Sequence, residues 1–263
     1  MPELPEVETW RRLADREGVG RIIREVRVAE DKIVMDENPP EAFVSALLNR
    51  ELVSTHRRGK HMWLAFDAPG HLYLHYGMSG SLTAHDPEAG PSHPKLALGL
   101  DNGRWLTYRN PRRIGKVRLY ADALLSKPIA ALGPDPLVER LEPEMLSPLL
   151  KSKKQPIKSA LLDQRLFAGV GNWIADEVLY QAEISPHRPC RDLKEEDIRH
   201  LLRTLRRILN KAVEVGADDT RFPKTWLFHH RWGKQAEKTG RGEALCFETI
   251  GGRTCAWVPE RQS

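Results

Sequence analysis

Hydrophobic positions recur with two different periods along this chain. Over residues 5 to about 17, Val7, Trp10, Leu13 and Ala14 fall at helical spacing; Pro5 suits the first turn, and Gly18 and Gly20 stop the run. From Arg21 to Tyr120 the period drops mostly to two. RIIREVRV, ELVSTHRR, HMWLAF, HLYLHYGM, LALGL, RWLTY and KVRLY read as short strands, separated by the turn signals DAPG, HDPEAGP and DNG. That pattern predicts an N-terminal helix on an antiparallel β-sandwich or flattened barrel. From Ala121 to about Glu144, Pro128, the run Gly133-Pro134-Asp135-Pro136 and Pro143 have the composition of an interdomain linker. Helical spacing then returns, with helices expected over 142–151, 156–164, 172–182 and 194–215. The last buries Ile198, Leu201, Leu202, Leu205, Ile208 and Leu209. Its Arg199, Arg203, Arg206, Arg207 and Lys211 form a basic face that suits either a polyanion or plain solvent. From Trp226 the chain turns polar and Gly-rich, and ALCFETI and TCAWVP outline a small β-hairpin. The expected class is α+β, with a β-sandwich domain over 1–120, a linker over 121–141, a helical domain over 142–225 and a hairpin module over 226–263.

Composition narrows the functional classes. The 263 residues are 40% hydrophobic and 29% charged, an ordinary globular balance. Apolar runs are only a few residues long, and the start MPELPEVETWRR has no apolar signal core, so neither a membrane partner nor a secretory leader is expected. Lys+Arg 41 against Asp+Glu 36 gives a net +5, which permits a polyanionic partner without requiring one. Cys190, Cys246 and Cys255 are an odd, sparse set that argues for a reducing compartment. No dimer seam stands out, so a monomer is expected.

Five constellations could carry chemistry. Removal of Met1 would leave Pro2 with a secondary amine, less basic than a lysine and able to attack an aldehyde-equivalent carbon. The resulting iminium cannot lose its charge by deprotonation, so it is an electron sink that favours elimination from an attached sugar. Glu3 stands beside it as a candidate acid or base. The plain alternative is that Met-Pro merely begins a helix. Second, Arg58-Gly59-Lys60 could aim an ammonium into a cleft or end a strand in solvent. Third, the turns His75–Gly80 and Asn110–Gly115 present Met78, Arg112 and Ile114, which could wedge into a base stack, pack in the core or be solvated. Fourth, Lys151, Lys153, Lys154 and Lys158 precede Gly169-Val170-Gly171-Asn172, a helix–turn–helix corner. Asn172 is read there as the N-cap of a helix whose amides would hold a phosphate. Fifth, Arg253 follows Gly251-Gly252 at a hairpin tip, within reach of phosphate or of solvent only. Cys246 and Cys255 have no CxxC partners and His229-His230 lacks ligand spacing, so no metal is expected.

Taken in order, MPELPEVET, Arg58-Gly59-Lys60, Gly77-Met78, Pro111-Arg112-Arg113, Leu132-Gly133-Pro134 and Gly171-Asn172 resemble the Fpg (MutM) branch of the Fpg/Nei family of formamidopyrimidine-DNA glycosylases, over essentially the whole chain. The resemblance implies a β-sandwich, a helix–two-turn–helix domain and a C-terminal finger. It also implies a bifunctional DNA glycosylase and abasic-site lyase of base excision repair, with no cofactor. Its partner would be double-stranded DNA containing oxidised bases or abasic sites, in the nucleoid of a bacterium or the nucleus of a eukaryote. By the same resemblance Pro2 is the Schiff-base nucleophile, Glu3 the acid/base that opens the deoxyribose, Lys60 the proton donor of β-elimination and Arg253 the finger arginine of δ-elimination. His93, Arg112, Lys154, Lys158, Asn172 and Arg253 match DNA contacts, and Met78, Arg112 and Ile114 match the void fillers. Base flipping makes such fillers necessary.

Several positions depart from the common pattern. Ile114 replaces a phenylalanine, Asn110 an aspartate, and Trp173-Ile174 an Ile-Tyr pair. The finger's four cysteines are absent, and Gly251–Glu260 resembles the zincless finger of plant and fungal members. Between Gly216 and Trp226 the chain is short and lacks the loop that caps 8-oxoguanine in typical bacterial members, which points toward formamidopyrimidines and hydantoins. Two other readings remain: a non-catalytic lesion-sensing DNA-binding protein, which would have no need of a free Pro2 amine, and an unrelated zinc protein.

Overall fold

The computed structural model describes residues 2–36, 38–86, 90–233 and 237–263. Contacts divide the chain into two compact units that meet at Ala131 and Leu132. In the first, helix α1 (Leu4–Gly18) is followed by β1 (Ile23–Val28), α2 (Pro40–Leu47), β2 (Leu52–Arg58), β3 (His61–Phe66), β4 (His71–His75), β5 (Ser81–His85), β6 (Leu96–Leu100), β7 (Trp105–Arg109), β8 (Lys116–Tyr120) and the single turn α3 (Lys127–Ala130). The strands form two four-stranded antiparallel sheets, ordered β1-β6-β7-β5 and β2-β3-β4-β8. Alternation decides the faces. Ile23, Leu98, Leu106 and Leu82 of one sheet meet Leu52, Leu64, Leu72 and Val117 of the other, closed by Val7 and Ala14 of α1 and Phe43 and Leu47 of α2. This is the two-layer antiparallel sandwich with an N-terminal helix.

Two elements differ from the expected strand series. Residues 40–47 form α2: Pro39 and Pro40 start the helix, and Phe43 and Leu47 are four apart on its buried side. Ser81–His85 forms β5, an edge strand with only Leu82 buried, so its sequence carries little alternating signal. The fourth strand also stops at His75, leaving residues 77–79 as a turn.

The second unit contains α4 (Pro143–Lys151), α5 (Ile157–Leu162), α6 (Asn172–Gln181), α7 (Glu195–Glu214), β9 (Cys246–Ile250) and β10 (Arg253–Trp257). Helices α5 and α6 flank the two-turn corner. Gln164 braces it: its amide donates to the carbonyls of Leu162 (3.0 Å) and Val170 (2.8 Å), and its oxygen accepts from Gly169 N (3.0 Å). Strands β9 and β10 make the C-terminal hairpin, with Arg253 opposite Ile250 and positive φ at both Gly251 and Gly252, as a type I′ turn requires. No described helix is long and apolar enough to cross a membrane.

Gly133 packs on this corner through its backbone. Its amide donates to Gln164 O at 3.0 Å, and an added Cβ would lie 2.1 Å from Arg165 O. A carbonyl oxygen cannot rotate away. Gly133→Ala should therefore cost about 1–3 kcal/mol, read as a lower urea midpoint at unchanged slope.

Candidate active site

The start of α1 is built around two carboxyl groups. Glu3 is the N-cap and is 1% exposed; half-buried Pro2 precedes it. Met1 lies outside the described residues. Glu3 and Glu6 form a reciprocal capping box, in which the Glu3 carboxylate accepts from the Glu6 amide and Glu6 Oε2 accepts from Glu3 N at 2.8 Å. The helix N-terminus carries partial positive charge. It therefore favours negative charge on the cap at Glu3. Burial, then the neighbouring Glu3, pushes the Glu6 carboxyl up to about 7. Glu6 thus holds a proton near neutrality.

Lys60 occupies the second position of the two-residue β2–β3 turn. Gly59 precedes it with φ +57°, and Arg58 pairs with His61. Gly59 meets the type II′ requirement for glycine at the first central position. Arg57 fixes this turn to α1. Its Nε donates to Glu8 Oε2 at 3.0 Å and its Nη1 to Gly59 O at 2.9 Å, with the side chain only 1% exposed. Burial opposes ionisation of Glu8, but Arg11, Arg57 and Arg12 outweigh it, and the carboxyl stays below its ordinary range. A second tie links α1 to β2, where Thr55 Oγ1 donates to Asp15 Oδ1 at 2.8 Å.

Two neutral imidazoles accompany Lys60. Burial first, then His75 and Lys60, lowers His61 to about 3; burial and then Lys60 lowers His75 to about 4. The rings lie 4.9 Å apart, and His61 Nδ1 is 2.6 Å from Tyr73 Oη. Uncharged rings add no positive charge beside Lys60.

The two turns ahead of β5 and β8 are braced by one buried side chain. Asn110 is 1% exposed. Its Nδ2 donates to Tyr76 O (2.8 Å) and Tyr108 Oη (3.0 Å), and its Oδ1 accepts from Ile114 N (2.9 Å) and Gly115 N (3.1 Å). Ser79 Oγ adds a bond from Arg112 N at 3.2 Å. Gly77, at φ +59°, runs so close that an added Cβ would be 2.6 Å from Ile114 O. On this frame Met78 (40%) and Ile114 (43%) stand exposed, against the ordinary fate of such side chains. The adjacent arginines separate. Arg113 pairs with Asp31 through Nε (2.9 Å) and Nη2 (3.0 Å), whereas the exposed Arg112 has no ion pair among the described residues. His93 is exposed with φ 47°.

In the second unit, Arg253 is exposed at the hairpin turn and Lys154 is exposed between α4 and α5. Two expectations need correction. Asn172 is the first helical residue rather than the N-cap; Gly171 caps α6, and the Asn172 amide donates to Thr254 O at 2.9 Å. Lys158 is fully buried. Its ammonium pairs with Asp176 and lies 3.4 Å from Thr254 O, so a direct phosphate contact is closed to it in this structure.

Comparisons with known proteins identify the family. The sequence profile of the formamidopyrimidine-DNA glycosylase N-terminal domain matches residues 1–117, and that of the formamidopyrimidine-DNA glycosylase H2TH domain matches residues 132–224. The chain belongs to the formamidopyrimidine-DNA glycosylase family. It is a DNA glycosylase of base excision repair. The Arabidopsis thaliana formamidopyrimidine-DNA glycosylase is 39% identical over 276 residues, covering 100% of this chain and 71% of that protein. The Neisseria meningitidis enzyme is 35% identical over 279 residues, covering 100% of both. Among solved structures, Lactococcus lactis Fpg bound non-covalently to DNA containing an abasic site superposes with TM-score 0.85 at 27% identity and 99% coverage of each chain. A MutM complex with DNA containing carbocyclic 8-oxo-G gives 0.86 at 28% identity and 100% coverage of each.

Sequence reasoning missed Glu6, Arg57, the two histidines and the bracing function of Asn110. Glu6 had a visible signal, since it is three residues beyond Glu3 at a helix start. Arg57 and Asn110 act through contacts that only the folded chain makes.

Two outcomes follow. Arg57→Ala would remove the bonds to Glu8 and Gly59 O while leaving Glu8 paired with Arg11 and Arg12, and should cost about 1–3 kcal/mol of unfolding free energy, measured by denaturant titration. Glu6 has a raised folded pKa, so its contribution to stability is present below its unfolded value of 4.5 and is lost as pH rises through about 7. Glu6→Gln should flatten the stability–pH curve over that window, an effect read from urea midpoints between pH 4 and pH 8.

Proposed function

We propose that this family member is a bifunctional glycosylase and abasic-site lyase working through Pro2, with the oxidised ring-opened purines and hydantoins as its bases. The observation that carries the reading is the placement of Pro2 next to a buried carboxyl cap at a helix N-terminus, on the helix that Arg57 ties to the Lys60 turn. Removal of Met1 frees the Pro2 nitrogen. The nitrogen attacks C1′, and the bond to the base breaks with its electron pair leaving on the base. The Glu3 carboxylate takes the proton shed by the Pro2 nitrogen and passes it to O4′ as the sugar ring opens, giving the iminium. Loss of a C2′ proton then expels the 3′ phosphate in β-elimination, with Lys60 as proton donor. Loss of the C4′ proton expels the 5′ phosphate in δ-elimination, which the reading associates with Arg253. Water finally releases Pro2.

Met78, Arg112 and Ile114 are read as the groups that fill the space vacated by the flipped nucleotide. Their braced, exposed turns suit insertion into a base stack. His93, Lys154, Asn172 and Arg253 are read as phosphate contacts, and Lys158 as support beneath them. The short segment after α7 favours the substrate assignment. Phe222 and Trp226 are buried against Trp173, with ring centroids 5.7 and 6.4 Å away, and only a single 3-10 turn lies between Gly216 and Phe222. Few residues remain there to cap 8-oxoguanine. Such an enzyme acts where the genome is, in the nucleoid or the nucleus.

Duplexes carrying a formamidopyrimidine, a hydantoin, 8-oxoguanine or a preformed abasic site test this reading. Excision should favour the first two and should survive EDTA, since no step uses a metal. Glu3→Gln should retain lesion-duplex affinity while excision falls by about 10²–10⁴-fold. Excision by Glu3→Gln at the unmodified rate, or its loss in EDTA, contradicts the mechanism.

A further inference from the structure

The interior of the second unit holds two cations on one carboxylate. Asp176 and Lys158 have wholly buried side chains, and that of Arg231 is only 4% exposed. Asp176 Oδ1 takes the Lys158 ammonium. Asp176 Oδ2 takes Arg231 Nε (3.1 Å) and Nη2 (2.7 Å) and, from β10, the Ala256 amide (3.2 Å). The same Lys158 ammonium reaches Thr254 O, where Asn172 Nδ2 also donates. Asn172 and Asp176 are four residues apart on α6 and therefore share a face. Two consecutive contacts thus fasten β10 to α6: Thr254 O at the first turn and Ala256 N one turn further. Arg253 is the residue immediately before Thr254. At the other side of the hairpin turn, an added Cβ on Gly251 would come 2.5 Å from Ser159 Oγ, so the turn rests directly on α5.

We propose that Asp176 is a positioning residue for phosphate capture: an ionic clamp that fixes β10 to α6 and so presents Arg253 and Asn172 together. Buried ion pairs of this kind do not by themselves add much stability, because desolvation opposes the attraction. Their use here is placement. Asp176 alone accepts from α5, from β10 and from the Arg231 segment, so it sets the spacing of three separate pieces of chain. The three side chains also carry one surplus positive charge beneath the N-terminus of α6, where amides already attract anions. Through Asp176 the buried Lys158 can affect DNA binding without touching DNA. The clamp needs no metal ligand from the hairpin; among the described residues no three histidine, cysteine or acidic side chains gather as a metal site.

The inference rests on the reading of Arg253 as a phosphate contact, and the test separates the two. Asp176→Asn, Arg253→Ala and the double variant of the full chain are measured against a duplex carrying a tetrahydrofuran abasic analogue, across a salt series, and for δ- against β-elimination product on a true abasic site. Retained near-ultraviolet circular dichroism establishes folding. If Asp176 acts through Arg253 and Asn172, each single variant loses about ten-fold or more in affinity and shifts product toward β, and the double variant loses less than the product of the two single losses. Should Asp176→Asn fail to fold, Arg231→Gln, which leaves the Lys158–Asp176 pair neutral, is read by the same criteria. A folded variant with unchanged affinity and product ratio, or losses that multiply in the double variant, overturns the clamp. An Arg253→Ala chain that binds and cleaves normally overturns the reading of Arg253 itself, and the clamp with it.

Discussion

Arg57 is the strut on which the geometry of the candidate site depends. Pro2 and Glu3 lie at the entry to helix α1, and Lys60 lies in a β-turn, so nothing in local structure sets the distance between them. The guanidinium does so by bonding Glu8 on α1 and Gly59 O in the turn at once. Its planar fork suits this bridging, because the donors diverge at fixed angles; a lysine ammonium would provide a point charge without that geometry. Iminium chemistry needs a nucleophile and proton-transfer groups held to fractions of an ångström around one sugar. A buried ion pair is a poor source of stability and a good source of position. The same physics recurs at Asn110, whose four hydrogen bonds hold the Met78 and Ile114 turns in register.

Electrostatics completes the placement. The partial positive charge at the α1 N-terminus favours negative charge on the Glu3 cap. Glu6 retains a proton near neutrality, so the paired carboxyls avoid a double negative charge in a confined space. His61 and His75 stay neutral well below neutral pH, so they add no positive charge beside Lys60.

Much of this was readable from residue order. The sandwich, the four longer helices of the second unit and the hairpin follow from hydrophobic period and glycine placement. Helix α2 escaped because it is only 8 residues long and lies among strands, although Phe43 and Leu47 at i, i+4 on a proline start were sufficient to find it. Strand β5 escaped because an edge strand with one buried residue has almost no alternation to detect. Lys158 matches a DNA contact by the family resemblance; its burial depends on Asp176, which is 18 residues away in sequence and adjacent in space. Asn172 read as a cap because asparagine favours that position, whereas Gly171 takes it and leaves the Asn172 amide to hold β10. Local preference was overruled each time by a long-range contact.

The central claim is that the Pro2 amine performs the chemistry. Borohydride reduction of reaction mixtures tests it most directly, using protein without an N-terminal tag, Met1 shown to be removed, duplexes bearing an abasic site or an oxidised base, and peptide mapping of any adduct. A stable covalent adduct on Pro2 is the predicted result. Intact DNA binding with no adduct on any duplex would contradict the account and leave a lesion-binding protein that has the fold without the reaction.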